Sequence, residues 1–237
     1  MKAMVLAAGR GERMRPLTDA CPKPLLRVHG KPLIEWHIEA LARAGVRDIV
    51  INTAWLEDMI VDSIGDGSRF GVRIAYSMEG RDHGGALETA GGIAKALPLL
   101  EDGARDAPFW LVSADIFAPH FAFDPAAAAR FAATRDDAHL WLVANPDFHA
   151  KGDFGLDAQG RGRVDPGPDG RTWTYANIAL LRPALVRHIE AGTRAALGPL
   201  LYAAMRERRM GAEVYAGEWH NLGTPAQLDA LNRSATP

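Results

Sequence analysis

Apolar and polar positions fall into blocks along the first half of the chain. Ala3–Ala7 is an unbroken apolar run that predicts a buried strand. Leu33–Ala44 (LIEWHIEALARA) carries apolar residues at helical spacing and is stopped by Gly45, so it predicts a helix. Asp48–Asn52, Val72–Ser77 and Phe109–Ser113 read as further strands, with helices expected over Leu56–Ile64 and Leu87–Leu97. Strands separated by helices pair in parallel through right-handed crossovers. The pattern implies an α/β fold on a doubly wound, mostly parallel sheet. Ligands of such sheets lie at the carboxyl ends of the strands.

The second half is less regular. Ala126–Thr134 reads as a helix, and His139–Ala144 and Trp173–Leu181 read as strands. Asp157–Arg171, rich in Gly, Asp and Pro, predicts a hairpin or loop. A helix over Ala195–Arg208, a short strand at Ala212–Tyr215 and a closing helix over Pro225–Asn232, N-capped by Thr224, complete the pattern. No repeat or low-complexity linker interrupts it, and 237 residues fit one domain.

Composition narrows the partners. Hydrophobic residues are 48% of the chain and charged residues 24%, the balance of an ordinary globular protein. With 27 Lys+Arg against 29 Asp+Glu the formal net charge is -2, so no global field favours a nucleic acid or a membrane as partner. Any anion must be held locally. The single cysteine, Cys21, excludes an internal disulfide and a cysteine-based zinc site and fits a reducing compartment. No stretch reaches the ~20 apolar residues of a spanning helix, and the first apolar run is too short for a signal peptide. A cytoplasmic protein is expected.

GRGERMRPLT, which follows the first run, suggests where an anion is held. A dinucleotide fingerprint needs a third glycine where Met14 stands, and no G-x-x-x-x-G-K-[ST] occurs. Two readings remain. In one, a glycine-rich turn holds a polyphosphate with its backbone N–H groups and with Arg13 and Arg15. In the other, the turn is a surface loop with solvated arginines. Pro22-Lys23-Pro24 then restricts the backbone on both sides of one lysine, which favours a fixed point charge. Asp115 ends a buried strand, where a metal or a helix cap would offset the cost of its charge.

LAAGRGERMRPLT followed by PKPL resembles the signature of the sugar-1-phosphate nucleotidylyltransferases, L-x-x-G-x-G-x-R-[ML]-x-P-L-T with P-K-P. The likeness extends along the chain. GKPLIEWHIEALARAGVRDIVINTAWL looks like the family's first helix and second strand, and Glu79-Gly80 and ALETAGGI (86–93) like its base- and sugar-contacting loops. SAD (113–115) occupies the place of its metal-binding aspartate, and WHNLGT (219–224) resembles its W-x-D-[VIL]-G-T. INTAWL, GDGSRFG (65–71), LETAGGI and NPDFHAKGDF (145–154) are similar to a bacterial branch that uridylylates N-acetylmuramate 1-phosphate.

The resemblance implies a Rossmann-like fold of the nucleotide-diphospho-sugar transferase type with a smaller sugar-binding lobe. Residues 1–118 would mainly bind the nucleotide and 119–237 mainly the sugar. The implied reaction is attack by a sugar 1-phosphate on the α-phosphorus of UTP, with Mg²⁺ as cofactor. The partners are then a nucleoside triphosphate and a sugar 1-phosphate, and a monomer is expected.

Arg13, Lys23 and Asp115 take the catalytic roles. Arg13 would hold the β and γ phosphates, Lys23 would sit between the α-phosphate and the incoming phosphate, and Asp115 would ligate the metal with Asn221. Ala7, Ala8, Gly9, Gly11, Glu79 and Leu87 join Arg13 and Lys23 around the nucleotide. Ala8 and Leu87 would frame the uracil through backbone groups, while Glu79 either reads the pyrimidine edge or faces solvent. Glu88, Gly92, Lys151, Asp153 and Asn177 are the sugar candidates, with His149 or Lys151 for a lactyl carboxylate. The N–H groups of Gly91 and Gly92 either contact ligand oxygens or the glycines serve tight packing. Other readings stay open: another sugar or base, a nucleotide-sugar binder without turnover because Asn221 replaces the usual aspartate, and, least favoured, a dehydrogenase.

Overall fold

The computed structural model describes residues 1–101 and 106–234, which contain every site residue expected from the sequence. Its central sheet comprises β1 (Ala3–Leu6), β2 (Asp48–Thr53), β3 (Arg73–Met78), β4 (Phe109–Ser113), β5 (Ala138–Val143), β6 (Thr174–Leu181) and β7 (Met210–Val214). Their order is β7-β5-β6-β4-β1-β2-β3. β1 pairs in parallel with β2 and β4, β2 with β3, and β7 with β5. β6 is reversed, running antiparallel to both β4 and β5. The sheet is therefore mixed but mostly parallel.

Helices α1 (Leu33–Arg43), α2 (Glu57–Ile64), α3 (Glu88–Leu100), α4 (Pro125–Ala132), α5 (Gly198–Arg206) and α6 (Pro225–Arg233) cover it. Successive side chains leave a strand on opposite faces, so each buried strand feeds two cores. Ala3, Val5, Trp110 and Val112 pack with α1, α2 and α4. Met4, Phe109 and Leu111 pack with α3 and α5 on the other face. α6 adds Leu228 and Leu231 to a smaller cluster around Met14 and Phe117. Thr224 caps α6 in a capping box with Gln227.

Two departures from the sequence pattern shape the site. The helix expected from Ala195 begins at Gly198. Ala195 is otherwise engaged: its N–H donates to Leu87 O (3.0 Å), and its carbonyl accepts from Ala90 (2.9 Å) and Gly91 (3.1 Å) at the start of α3. The register of β6 against β5 also shifts between Tyr175 and Ala179. Asn177 stands inside this bulge at φ 59, a left-handed conformation that asparagine tolerates better than most residues.

Candidate active site

The loops at the carboxyl ends of β1, β2 and β4 open into a cleft with two adjoining cavities, of ≈ 550 Å³ and ≈ 710 Å³. Leu6, Arg13, Glu88, Thr89 and Ser113 line both. Each cavity draws residues from both sides of residue 118.

Ala7, Ala8, Gly9, Gly11, Arg13, Lys23 and Asp115 line the first cavity. Gly11 adopts φ 66, and its carbonyl accepts from Met14 N (2.8 Å) and Thr18 Oγ1 (2.9 Å), which folds the loop into a tight turn. A Cβ on Gly9 would meet open space, whereas one on Gly11 would sit 3.0 Å from Thr18 Cγ2 and 3.2 Å from Lys23 Cβ. Arg13 is exposed and has no ion-pair partner among the described residues. Arg15 lies outside both cavities and pairs with Asp19 (2.6 Å), and Arg10 stacks over the Trp55 ring.

Lys23 is buried, and its Nζ lies 3.0 Å from Asp115 Oδ2. The Asn221 backbone runs beside this segment, because His220–Asn221 pairs antiparallel with Ile116–Phe117 and Leu222 N donates to Asp115 O (3.1 Å), while its side chain lines the second cavity. Asp115 Oδ1 and Asn221 Oδ1 are both buried without a hydrogen-bond partner. Buried unpartnered oxygens are costly. Two such oxygens suit a hard cation that takes its remaining ligands from water and phosphate, so the donor set fits Mg²⁺. Among the described residues no group of three or more His, Cys, Asp or Glu side chains could hold a metal. Behind the site, buried His37 on α1 donates from Nε2 to Ile116 O (2.8 Å). Burial lowers its pKa to about 4, against the opposing pull of that hydrogen bond and of the Asp115 charge.

Three sequence expectations are corrected here, and a fourth, left open for Gly91, resolves to packing. Glu79 is fully buried, so it neither faces solvent nor lines a cavity. Its oxygens accept from Asn52 Nδ2 (2.7 Å) and Leu87 N (2.7 Å), while Asn52 Oδ1 accepts from Ala7 N (3.0 Å). Glu79 thus ties the β1 loop to the 86–88 loop, and burial pushes its carboxyl up. Leu87 lines neither cavity, and its backbone groups are consumed by Glu79 and Ala195. Gly92 lies behind the site, where a Cβ would be 2.5 Å from Glu79 Oε1. Gly91 gives its N–H to Ala195, and a Cβ there would lie 2.2 Å from Thr193 O; the glycine pair serves packing.

The second cavity receives Glu88, Asp153, Asn177 and Asn221. Glu88 holds a left-handed φ of 61 and faces Arg194 at 3.6 Å. Asp153 accepts from Tyr175 N (2.8 Å) through Oδ2 and from His149 Nε2 (2.9 Å) through Oδ1. His149 lines the cavity; Lys151 is exposed and lines neither. Thr89 and Asn52 line the cleft and His37 packs behind it, and all three went unnoticed in the sequence. Asn52 had a readable signal, a polar residue near the end of a buried strand, as for Asp115. His37 had none, since it sits inside the apolar face of α1.

The family model described as Nucleotidyl transferase matches residues 2–165. An N-acetylmuramate alpha-1-phosphate uridylyltransferase from Neisseria meningitidis serogroup B is 48% identical over 96% of this chain and 95% of its own length. One from Caulobacter vibrioides is 34% identical over 98% and 96%. A candidate glucose-1-phosphate thymidylyltransferase from Bacillus anthracis, solved by crystallography, superposes over 98% of this chain and 94% of its own with a TM-score of 0.80 at 20% identity, a likeness of fold. With the glycine loop, the Lys23–Asp115 pair and the paired cavities in one cleft, these similarities establish that the chain belongs to the Nucleotidyl transferase family.

Proposed function

We propose that the chain transfers a uridylyl group from UTP to N-acetylmuramate 1-phosphate, releasing pyrophosphate. The observation that carries the reaction class is the junction of the two cavities. Arg13, Glu88 and Thr89 line both cavities; the buried Lys23 and its partner Asp115 line the glycine-turn cavity, and Asn221 lines the second cavity with Asp153 and Asn177, sugar-type polar groups. The base and the sugar come from the full-length similarity to relatives of that activity.

An oxygen of the sugar 1-phosphate attacks the α-phosphorus, and the bond to the β-phosphate oxygen breaks. No covalent enzyme intermediate is required, so the chain acts by positioning two polyanions and countering their charge. The Gly9–Gly11 turn lets the main chain approach the triphosphate. Arg13, without an ion-pair partner among the described residues and lining both cavities, holds the departing pyrophosphate. Lys23 places a point charge between the two reacting phosphates. Asp115 and Asn221 would hold Mg²⁺, which supplies charge neutralisation at the phosphates. Asp153, Asn177 and Glu88 orient the sugar.

Pyrophosphate release, measured with UTP, GTP and ATP against a panel of sugar 1-phosphates, tests this reading. UTP with N-acetylmuramate 1-phosphate should be the best pair. Efficient guanylyl transfer to mannose 1-phosphate, with none from UTP, overturns it. Asn221 favours a second reading, a nucleotide-sugar binder, because an amide brings no charge to the metal; binding without release of pyrophosphate from any pair would establish that instead.

A further inference from the structure

The second cavity holds two carboxylates, Glu88 and Asp153, and a substrate bearing a carboxylate of its own needs a cation there. Arg13 and His149 are the basic side chains lining it, and Arg13 is shared with the first cavity. Arg194 lines neither cavity and faces Glu88 at 3.6 Å. Asp147 and Lys151 flank His149 in sequence, and Lys151 lines neither cavity.

His149 is set by a built loop. Asn145 Nδ2 donates to Ala150 O and Thr172 O (3.2 Å each), and Asn145 Oδ1 accepts from Thr174 Oγ1 (2.9 Å). Gly152 turns the chain at φ 59, where a Cβ would lie 2.5 Å from Asn145 Oδ1. Asp153 then fixes the ring. A carboxylate only accepts, so Nε2 carries the proton of the 2.9 Å bond. Nδ1 has no partner among the described residues.

We propose that His149 is the receptor for the carboxylate of the sugar substrate, held in place by Asp153, and that it sets the preference for a carboxylated sugar. The inference rests on the N-acetylmuramate reading, whose lactyl ether carries that group. In the complex the ring carries protons on both nitrogens, the second drawn from solvent: Nε2–H donates a hydrogen bond to Asp153 and Nδ1–H donates one to the substrate carboxylate, keeping its proton. The imidazolium then stands between two carboxylates and offsets the repulsion of Asp153.

The test is steady-state pyrophosphate release from UTP with N-acetylmuramate 1-phosphate and with N-acetylglucosamine 1-phosphate, the same sugar without the lactyl group. His149→Gln should raise KM for the first at least tenfold and change KM for the second less than threefold. His149→Lys should restore the preference, which also guards against a loop merely disturbed by glutamine. An unchanged preference in His149→Gln, or equal losses with both sugars, overturns the proposal. Collapse of the preference in Lys151→Gln instead moves the role to Lys151 and overturns it too. Failure of the underlying reading is seen separately, as a wild-type protein that uses neither sugar.

Discussion

Replacing His37 with glutamine should flatten the acid side of the stability profile. The ring is buried and donates to Ile116 O, and burial lowers its pKa from 6.5 to about 4. The unfolded chain therefore takes up a proton near pH 6.5 that the folded chain refuses until about pH 4. Through that window the unfolded state binds more protons, so stability falls as pH falls. A shift of this size removes about 2 kcal/mol at pH 5, and about 3 kcal/mol once pH drops below both values. Glutamine can still donate to Ile116 O but has no charge to acquire. Urea denaturation of both proteins at pH 7.5, 6 and 5 measures the effect. The variant should be less stable at pH 7.5, with the gap narrowing by about 2 kcal/mol at pH 5. Parallel profiles would falsify the claim that His37 is held neutral.

Lys23→Met should lower kcat/KM by about a hundredfold or more while Tm stays within a few degrees, since its partner Asp115 is half-exposed and rehydrates; wild-type turnover would remove Lys23 from the phosphate site. Asn221→Asp should reduce the Mg²⁺ concentration for half-maximal rate and tighten Mn²⁺ binding read by electron paramagnetic resonance. Identical titrations would take Asn221 out of the metal site. Gly91→Ala should cost about 1–3 kcal/mol, because the added methyl meets the Thr193 carbonyl rather than a flexible side chain; calorimetry showing an unchanged Tm would contradict that close approach.

The sequence spoke most clearly where one force dominates. β1, β2 and β4 are apolar runs buried on both faces, and the Thr224 cap has its partner Gln227 nearby in the chain. Lys23 and Asp115 stood out because proline and strand end constrain them, and they meet at 3.0 Å. What stayed hidden depends on distant partners. The reversal of β6 is set by which strands flank it, and its bulge at Asn177 leaves no mark in a pattern of alternating residues. The propensity of 195–197 for helix yields to the hydrogen bonds that this segment makes with Leu87, Ala90 and Gly91. Glu79 looked like a base contact or a solvent-facing residue because it matches a base-reading position in the family it resembles; the structure uses it as a buried tie between two loops.

The Ala195 tie has a consequence for how the chain acquires its fold. The first turn of α3 is closed by a residue far downstream, and the edge of β4 is covered by β6, which also comes from the second half. As the polypeptide leaves the ribosome, its amino-terminal portion therefore emerges as an unfinished sheet, with an open strand edge and free amide groups at the head of a helix. Both are completed together, late, by segments of high sequence separation, which makes the last step of folding cooperative and slow relative to local events. A fragment ending at residue 165, where the family match stops, lacks both closures at once.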